Sequence, residues 1–404
     1  MKPKKQQKRI LLLENIHVDA VTLLKKNGFS VETYPKAMSE SELVKAIKGV
    51  SYLGIRSKTK VTAQVLEAAD TLEVIGAFCI GTNQIDTDAC TKRGIAVFNA
   101  PYSNTRSVVE LVVGEMIMLL RKVTDKSRDA HAGAWDKASA GCYEIRGKRL
   151  GIVGYGNIGS QLSVVAEALG MQVGFYDIAE KLSLGNAQKF KSQKALLAWA
   201  DIVTMHVDGR KENKDCIDAA ALKSMKQGSY FLNLSRGHVV DIDALATALR
   251  KGHIAGAAVD VFPHEPSGND ESFKTPLQGL PNVILTPHVG GSTEEAQYSI
   301  GQYVGTRFIE YRDNGMTPLS VNFPEIQMPR TPRSNRLVHV HKNVPGMLAQ
   351  INDALALRKI NVVGQSLKTN EYIGYAITDF EGSASNDLLA ALQSIEGTIA
   401  ARLL

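Results

Sequence analysis

The sequence predicts an α/β protein with two mostly parallel sheets, followed by a small domain of another type at the C-terminal end. Three observations predict this class. Strand-like and amphipathic helical runs alternate twice along the chain, a stretch rich in proline and arginine occupies 324–336, and the order of elements then changes. The length of 404 residues exceeds what one hydrophobic core supports, so several domains are expected.

The first hundred residues contain the first alternation. Strands are predicted in "RILLLEN", "SYLGIRS", "LEVIGAF" and "IAVFN", with helices such as "HVDAVTLLKKNG" between them. The turn-forming motif "NAPYSN" at 99–104 then precedes a long predicted helix, "TRSVVELVVGEMIMLLR". This point is the predicted crossing into a second domain.

The second alternation begins near Lys148 and has longer elements. Six strands are predicted, in "RLGIVGYG", "MQVGFYD", "DIVTMHV", "SYFLNLS", "AGAAVDVF" and "NVILTP". Helices such as "NIGSQLSVVAEALG" and "DIDALATALRKG" lie between them. Six strands with helical crossovers are typical of a Rossmann-type, doubly wound nucleotide-binding domain.

The C-terminal part follows the order β-α-β-β-α-β. Its strands are predicted in "RLVHVHK", "INVVGQSLK", "YIGYAITDF" and "TIAARLL", and its helices in "GMLAQINDALALR" and "SNDLLAALQSI". This order is the split βαβ arrangement of a ferredoxin-like domain. The stretch 324–336 before it is predicted to be an exposed linker.

Composition argues against several classes of protein. The net charge of +6 comes largely from Lys2, Lys4, Lys5, Lys8 and Arg9, and the other 42 basic residues are balanced by 41 acidic ones. A short basic start is usually a solvated tail, so we expect no nucleic-acid partner. The longest apolar run, "VVELVVGEMIMLL", is too short for a membrane span and contains two glutamates.

The four cysteines indicate reduced thiols. Cys79, Cys90, Cys142 and Cys216 are far apart, with neither a C-x-x-C pair nor the Cys/His spacing of a zinc site. The start of the chain is not that of a signal peptide. We therefore expect a cytoplasmic protein without disulfides or a metal.

A glycine-rich motif predicts the cofactor. Gly154, Gly156 and Gly159 fit G-x-G-x-x-G between a predicted strand and a predicted helix. These glycines permit a tight turn and the close approach of a pyrophosphate to the helix N-terminus. Asp177 ends the next strand, 23 residues after Gly154. A carboxylate at that place binds the ribose hydroxyls and repels a 2′-phosphate, which favours NAD over NADP.

Three polar residues follow later strands of the same domain. Arg236 follows "SYFLNLS", Glu265 follows "AGAAVDVF" and His288 follows "NVILT". The carboxyl ends of parallel strands face the ligand crevice, so we expect these side chains to converge there. Prolines 263 and 266 restrict the backbone on both sides of Glu265, which holds its carboxylate in place.

This trio has the chemistry of an alcohol dehydrogenase. An alcohol that loses a hydride from carbon must also lose a proton from oxygen, and histidine titrates near working pH. A carboxylate on the other ring nitrogen fixes the tautomer, and an arginine grips the carboxylate of a 2-hydroxy or 2-oxo acid. His264 is the alternative proton carrier, but His288 ends a core strand and is preferred.

The motifs resemble those of the D-isomer-specific 2-hydroxyacid dehydrogenases. The matching stretches are "CIGTNQID", "NAPYSNTRSVVELVVGE", "GIVGYGNIGSQL", "NLSRGHVVD", "AAVDVFPHEP" and "LTPHVGGSTEEAQ", and "VHVHKNVPGMLAQI" resembles an ACT regulatory domain. The resemblance implies a discontinuous architecture. A flavodoxin-like substrate domain (1–100 and 292–325) would hold an inserted Rossmann domain (101–291), with a linker (326–336) and an ACT domain (337–404) after it.

The resemblance also implies site residues. The catalytic trio would be Arg236, Glu265 and His288. The NAD contacts would come from the glycine loop and later strand ends: Gly154, Gly156, Asn157, Ile158, Gly159, Asp177, Leu234, Ser235, Asp260, Gly290 and Gly291. Substrate would be met by Arg56, Ser57, Lys58 and Asn104, and by Trp135 and Lys137 of the adjacent subunit. Lys58 stands where such enzymes often have a second arginine. The effector L-serine would contact His341, Asn343 and Asn361 between two ACT domains.

We therefore expect NAD-dependent oxidation of 3-phospho-D-glycerate to 3-phosphooxypyruvate, the first step of phosphorylated L-serine biosynthesis, in a homotetramer inhibited by serine. Reduction of 2-oxoglutarate is an expected side activity. Two alternatives remain. One is another D-2-hydroxyacid dehydrogenase, acting on glyoxylate, hydroxypyruvate or D-lactate. The other is a non-enzymatic, NAD-sensing corepressor on the same fold.

Overall fold

The computed structural model describes residues 7–266, 271–382 and 384–404. The basic residues Lys2, Lys4 and Lys5 lie outside these ranges. The chain forms two compact units, one made of the residues up to Ser103 with Gln297–Leu404 and the other of Asn104–Ala296. Within the described ranges no helix combines the length and apolar character needed to cross a membrane.

The first unit contains a five-stranded parallel sheet. Its strands are β1 (Arg9–Leu13), β2 (Ser30–Tyr34), β3 (Tyr52–Ile55), β4 (Val74–Ala77) and β5 (Ala96–Phe98), in the order β2-β1-β3-β4-β5. The helices between them are α1 (Val18–Lys26), α2 (Glu40–Ala46), α3 (Ala63–Ala68) and α4 (Thr87–Lys92). This order is the flavodoxin-like one, and it brings the ends of β1 and β3 side by side.

The second unit contains a seven-stranded parallel sheet. Its strands are β6 (Arg149–Val153), β7 (Gln172–Tyr176), β8 (Gln188–Lys189), β9 (Ile202–Met205), β10 (Ser229–Asn233), β11 (Ile254–Val259) and β12 (Val283–Leu285). They lie in the order β12-β11-β10-β9-β6-β7-β8. Its helices are α5 (Thr105–Arg121), α6 (Val123–His131), α7 (Asn157–Ala168), α8 (Gln193–Trp199), α9 (Ala219–Ser224) and α10 (Ile242–Arg250). The doubly wound order of the Rossmann fold is confirmed.

The long helix α11 (Glu294–Asn314) leads back into the first unit. It is followed by β13 (Asn335–Lys342), α12 (Met347–Ala356), β14 (Val362–Thr369), β15 (Ile373–Phe380), α13 (Asn386–Gln393) and β16 (Thr398–Leu403). The antiparallel sheet order β14-β15-β13-β16 is that of the predicted ferredoxin-like domain.

The C-terminal sheet shares a hydrophobic core with the first sheet. Val338, Tyr375 and Ile377 belong to the same buried cluster as Tyr52 and Phe308. The predicted linker 324–336 is less exposed than the sequence predicted, because Ile326 is 1% exposed and Arg336, which already belongs to β13, is 0% exposed. The C-terminal domain is therefore packed against the first sheet and is not suspended on a free linker.

Many helices begin at a short polar residue whose side chain accepts a backbone N–H of the first turn. The residues that do so are Ser39, Thr62, Asp86, Ser192, Asp218, Asp241 and Ser385. Such caps satisfy donors that have no partner within the helix. At Ser39 the cap is reciprocal, since Glu42 accepts the Ser39 N–H.

Two strands were missed by the sequence analysis, β2 and β8. Both lie at sheet edges, and most of their residues are exposed. An edge strand needs no alternating apolar face when little of it is buried, so it leaves a weak sequence signal.

Candidate active site

The three residues of the predicted trio follow three neighbouring strands. Arg236 comes soon after β10, Glu265 after β11 and His288 after β12, and these strands lie next to one another in the second unit. Because all three strands are parallel, their carboxyl ends form one edge of the sheet. The fold thus brings the three side chains to the same edge.

His288 and Glu265 are directly bonded. The Nδ1 atom of His288 lies 2.8 Å from Oε2 of Glu265. The second carboxylate oxygen, Oε1, accepts the backbone N–H of Phe262 at 3.0 Å. The carboxylate is therefore held by its own loop. Because it occupies Nδ1 of His288, Nε2 is the ring nitrogen that remains for a substrate.

The backbone of His288 has an unusual conformation that Asp260 supports. His288 has a φ of 56°, in the left-handed region that few residues other than glycine adopt. Its N–H bonds to the carbonyl of Asp260 at 2.8 Å. The Asp260 carboxylate accepts the N–H groups of Val289 and Gly290 at 2.8 and 2.9 Å and the Thr286 hydroxyl at 2.6 Å. Asp260, which is 1% exposed, thereby shapes the loop that presents the imidazole.

Arg236 stands on a turn that is packed tightly against the Glu265 loop. A Cβ on the next residue, Gly237, would lie 2.0 Å from the carbonyl carbon of Phe262, so only glycine permits this approach. Asn233 fastens the turn by donating to the Arg236 carbonyl at 3.0 Å. One guanidinium nitrogen bonds to the Ser235 carbonyl at 2.7 Å, and the other two, which have no hydrogen-bond partner among the described residues, can bind an anion.

The electrostatics favour a charged pair. The hydrogen bond to Glu265 raises the pKa of His288 above its ordinary value, while partial burial and the nearby Arg236 act against it. Burial disfavours the charged form of Glu265, but hydrogen bonds from His288 and the Phe262 N–H outweigh that effect, and the pKa of Glu265 is lowered. Arg236 is close enough to affect both groups.

Glu265→Gln is expected to shift the pH dependence of this site. Without the carboxylate the pKa of His288 falls, so the acidic limb of kcat/KM for alcohol oxidation, which needs neutral imidazole, moves to lower pH. The maximal rate falls by about 10- to 100-fold, because the ring is no longer held in one tautomer. Rates of NADH formation across pH measure both effects.

Glu144→Gln is the matched control for that change, since it breaks an exposed ion pair with Arg146 in the same unit. An acidic limb that stays in place or moves to higher pH in Glu265→Gln would contradict the coupling.

The glycine loop after β6 is packed closely at two of its glycines and open at the third. Gly154 has a φ of 94°, and a Cβ there would lie 2.5 Å from the carbonyl oxygen of His206. A Cβ on Gly159 would lie 2.2 Å from the Gly154 carbonyl oxygen. Gly156 faces open space and precedes α7, which begins at Asn157 and Ile158 without a side-chain cap. The free N–H groups of this helix start can receive a pyrophosphate.

Asp177 lies beside this loop, where the sequence predicted it. Its Oδ2 accepts the N–H of Tyr155 at 2.7 Å and its Oδ1 that of Ala179 at 2.8 Å. The carboxylate is thus fixed at the end of β7, where it can bind ribose hydroxyls. The other residues predicted to bind NAD, Leu234, Ser235, Gly290 and Gly291, lie at the ends of β10 and β12.

The residues predicted to bind substrate are spread over three loops. Arg56, Ser57 and Lys58 follow β3 in the first unit, and the last two are exposed. Asn104 precedes α5 in the second unit, and a Cβ on Gly291 would lie 2.1 Å from its Nδ2. Asn104 therefore packs against the loop that follows His288.

Trp135 and Lys137 lie in an exposed segment after α6. Trp135 is 88% exposed, an unusual state for a tryptophan. Lys126 anchors the segment by donating to the Asp136 carboxylate at 2.7 Å and to the Ala138 carbonyl at 3.2 Å.

The predicted effector residues lie at both ends of the C-terminal sheet. His341 and Asn343 are at the end of β13, whereas Asn361 precedes β14 at the opposite end, level with Phe380 and Asn335. His341 is in β13 and only 2% exposed, and its Nδ1 lies 2.8 Å from the Lys342 carbonyl oxygen. Asn343 and Asn361 are exposed, and their amides donate to the Asn370 carbonyl and the Glu381 carboxylate at 2.7 and 3.1 Å.

Two buried polar residues near the site were not singled out from the sequence. His206 follows β9, and burial lowers its pKa to about 3, so it is a neutral imidazole. Glu115 on α5 is 1% exposed, and burial, with a further contribution from Asp260, raises its pKa to about 8. The end of a strand and a charge within an apolar run were the signals that could have drawn attention to them. Among the described residues no group of three or more His, Cys, Asp or Glu is arranged to hold a metal ion.

Comparison with known proteins agrees with this architecture. Residues 113–290 match the NAD binding domain of the D-isomer specific 2-hydroxyacid dehydrogenases. A protein of Haemophilus influenzae is 48% identical over 401 residues, which cover 99% of this chain and 98% of the relative. One from Escherichia coli K12 is 47% identical over 403 residues, with the same coverage. The chain belongs to the D-isomer specific 2-hydroxyacid dehydrogenase family. Both relatives are named D-3-phosphoglycerate dehydrogenase.

A solved structure agrees as well. The NAD complexed form of a D-isomer specific 2-hydroxyacid dehydrogenase from Lactobacillus delbrueckii is 27% identical and has a TM-score of 0.67, covering 78% of this chain and all of that one (100%). The family predicted from the motifs and the NAD cofactor predicted from the glycine loop are confirmed.

Proposed function

We propose that this chain oxidises 3-phospho-D-glycerate to 3-phosphooxypyruvate with NAD, the first step of phosphorylated L-serine biosynthesis. The observation that carries the proposal is the 2.8 Å hydrogen bond between His288 and Glu265 at the edge of an NAD-binding sheet. The names of the two relatives support the choice of substrate, because both relatives are similar to this chain over nearly its whole length.

Each residue of the trio has a different role in the proposed reaction. Nε2 of neutral His288 takes the proton of the C2 hydroxyl as the C=O double bond forms, and Glu265 stabilises the resulting imidazolium. Arg236 grips the carboxylate at C1 and polarises the oxygen at C2. Bound NAD supplies the acceptor for the hydride that leaves C2. In the reverse direction the imidazolium returns the proton.

The remaining substrate contacts are part of the same proposal. Arg56, Ser57 and Lys58 meet the phosphate of the substrate, and Asn104 is a further substrate contact. Trp135 and Lys137 reach the site of an adjacent subunit, which the exposure of Trp135 supports. Reduction of 2-oxoglutarate follows as a side activity, because that acid also has a 2-oxoacid head and a distant anion.

The C-terminal domain is proposed to bind L-serine and to inhibit the enzyme. His341 supports this role because its Nε2 is buried and has no hydrogen-bond partner among the described residues. A zwitterion needs both donors and acceptors, which Asn343 of one subunit and Asn361 of another offer, because within one chain these residues lie at opposite ends of the sheet. Serine then lies between the C-terminal domains of two subunits of a homotetramer, which α5 and these domains hold together. The four free thiols support a cytoplasmic location.

One experiment tests the substrate, the cofactor and the regulation. NADH formation is measured with 3-phosphoglycerate, D-glycerate and D-lactate, each with and without millimolar L-serine. We expect kcat/KM for 3-phosphoglycerate to exceed that for the other two acids by about 10- to 100-fold, because a charge-assisted hydrogen bond to the phosphate contributes about 1.5–3 kcal/mol. Serine is expected to lower the rate.

Equal rates with the three acids would contradict the phosphate specificity and favour a reductase of smaller acids. No turnover with any of them would favour the NAD-sensing corepressor. Sedimentation equilibrium checks the assembly, for which the proposal requires four chains.

A further inference from the structure

The most unusual backbone at the end of β1 belongs to Glu14 and Asn15. Both residues have positive φ values, 63° and 52°, although neither is a glycine. Two successive left-handed residues bend the chain after the strand, and the Glu14 side chain is only 8% exposed. Such strain is kept where the surrounding structure requires a particular placement of a side chain.

The Glu14 carboxylate binds the loop that follows the neighbouring strand β3. Its Oε1 accepts the N–H groups of Arg56 and Thr59 at 3.2 and 2.8 Å, and its Oε2 accepts that of Lys58 at 3.0 Å. No other described side-chain carboxylate in the first unit accepts three backbone N–H groups from a distant segment. The other side of the loop is held as well, since the Gln84 amide donates to the Arg56 carbonyl at 2.7 Å.

These bonds decide which part of the loop can meet a ligand. Several N–H groups that converge on one point form a cradle for an anion. Here the chain's own carboxylate occupies that cradle, so these N–H groups are not available to a substrate. The side chains of Arg56 and Lys58 are the cations within the stretch that Glu14 binds, and Lys58 is exposed.

We propose that Glu14 is a positioning residue for the recognition of the substrate's distal anion. It fixes the backbone of residues 56–59, so that the side chains of Arg56 and Lys58 are held in the geometry that grips a phosphate. This inference rests on the proposed function, because it takes the loop to be the phosphate site. Glu14 then controls KM for substrates with a distal anion and leaves the chemical step at His288 unchanged.

Glu14→Gln is the test. Glutamine has the same shape, but its amide nitrogen is a donor and opposes one of the N–H donors of the loop. We expect KM for 3-phosphoglycerate to rise about 10- to 100-fold with kcat within about 3-fold, and kcat/KM for reduction of glyoxylate, which has no distal anion, to stay within about 3-fold. NAD binding, measured by fluorescence titration, is expected to be unchanged.

Glu42→Gln is the matched control, because Glu42 also accepts a backbone N–H in the first unit, at 2.8 Å from Ser39. It is expected to alter none of these constants. Glu14→Asp keeps the charge but has a shorter reach, so it is expected to raise KM for 3-phosphoglycerate to a lesser extent. If Glu14→Gln does not fold, this second variant decides.

The outcomes separate the two proposals. If the wild type prefers 3-phosphoglycerate and neither Glu14 variant raises its KM, the role of Glu14 is wrong and the proposed function stands. A loss that is equal for 3-phosphoglycerate and glyoxylate shows a general structural role and also overturns it. If the wild type does not oxidise 3-phosphoglycerate, the proposed function fails. The role of Glu14 is then decided by 2-oxoglutarate, whose KM must rise relative to that of glyoxylate.

Discussion

His288→Asn is expected to lower kcat for oxidation of 3-phosphoglycerate by roughly 10²- to 10⁴-fold, the range that general acid–base catalysis by a positioned side chain contributes. Asparagine can still accept a hydrogen bond, but it cannot take the proton that leaves the substrate hydroxyl. The affinity for NAD is expected to stay the same, because the glycine loop and Asp177 lie at the ends of other strands. Initial rates of NADH formation and a fluorescence titration with NAD measure the two quantities.

His264→Asn is the matched control for this experiment. His264 is exposed and lies next to Glu265 in the chain, and it makes no hydrogen bond to another described residue. Its replacement is expected to change kcat by less than about 3-fold, since no carboxylate holds the ring in one tautomer. If His264→Asn carried the large loss and His288→Asn the small one, the assignment of the base would be reversed.

The second large effect is expected on stability. Asp379→Asn breaks a completely buried ion pair, in which Arg336 donates to Asp379 at 2.6 and 2.8 Å and both side chains are 0% exposed. The unpaired guanidinium is left in the core, so the free energy of unfolding of the C-terminal sheet is expected to fall by about 3–5 kcal/mol. Hydrogen exchange of the amides of β13 and β15 measures this free energy locally.

The reason for the size of this effect is the network around Arg336. Burial disfavours the charged form of Asp379, but the hydrogen bonds from Arg336 and from the Thr331 N–H outweigh it, and the pKa of Asp379 is lowered. The remaining guanidinium hydrogens go to the carbonyls of Asn314, Met328 and Pro329 at 2.9, 2.9 and 3.1 Å. The pair therefore ties the end of α11 and the segment after it to the C-terminal sheet.

Asp387→Asn is the control for Asp379→Asn. Asp387 pairs with Arg358 at 2.8 Å, but its side chain is 78% exposed, so the loss is expected to be below about 1 kcal/mol. Replacing both members of the buried pair, in Arg336→Met with Asp379→Leu, is expected to restore part of the stability. No unpaired charge remains, but the Asn314, Met328 and Pro329 carbonyls and the Thr331 N–H lose their partners. Equal protection of β13 in Asp379→Asn and Asp387→Asn would contradict the buried-charge argument.

The buried pair also bears on the proposed regulation. His341 lies on the same strand as Arg336, and Val338 on that strand belongs to the core shared with Tyr52 of the first sheet and Phe308 of α11. A ligand that binds near His341 thus acts on a strand that is packed against the first sheet of the same unit. In the Asp379→Asn variant we expect serine to inhibit less strongly, to the same degree that the β13 amides lose protection from hydrogen exchange.

The sequence predicted most of what depends on local pattern. The glycine spacing before α7 and the aspartate at the end of β7 are set by short-range geometry, so they could be found without coordinates. The placement of Arg236, Glu265 and His288 after three successive core strands was likewise visible, because parallel strands end at one edge of a sheet. The distances between these side chains could not be predicted from the sequence.

Local pattern therefore determined the fold class, the NAD-binding loop and the edge of the sheet where the trio lies. Only the tertiary structure decided that Glu14 lies under the loop at 56–59, that Arg336 is buried against Asp379, and that the C-terminal sheet shares a core with the first. These contacts join residues more than 40 positions apart in the chain. A buried charge has no periodicity of its own, and the partner that satisfies it is chosen by the packing of the whole unit.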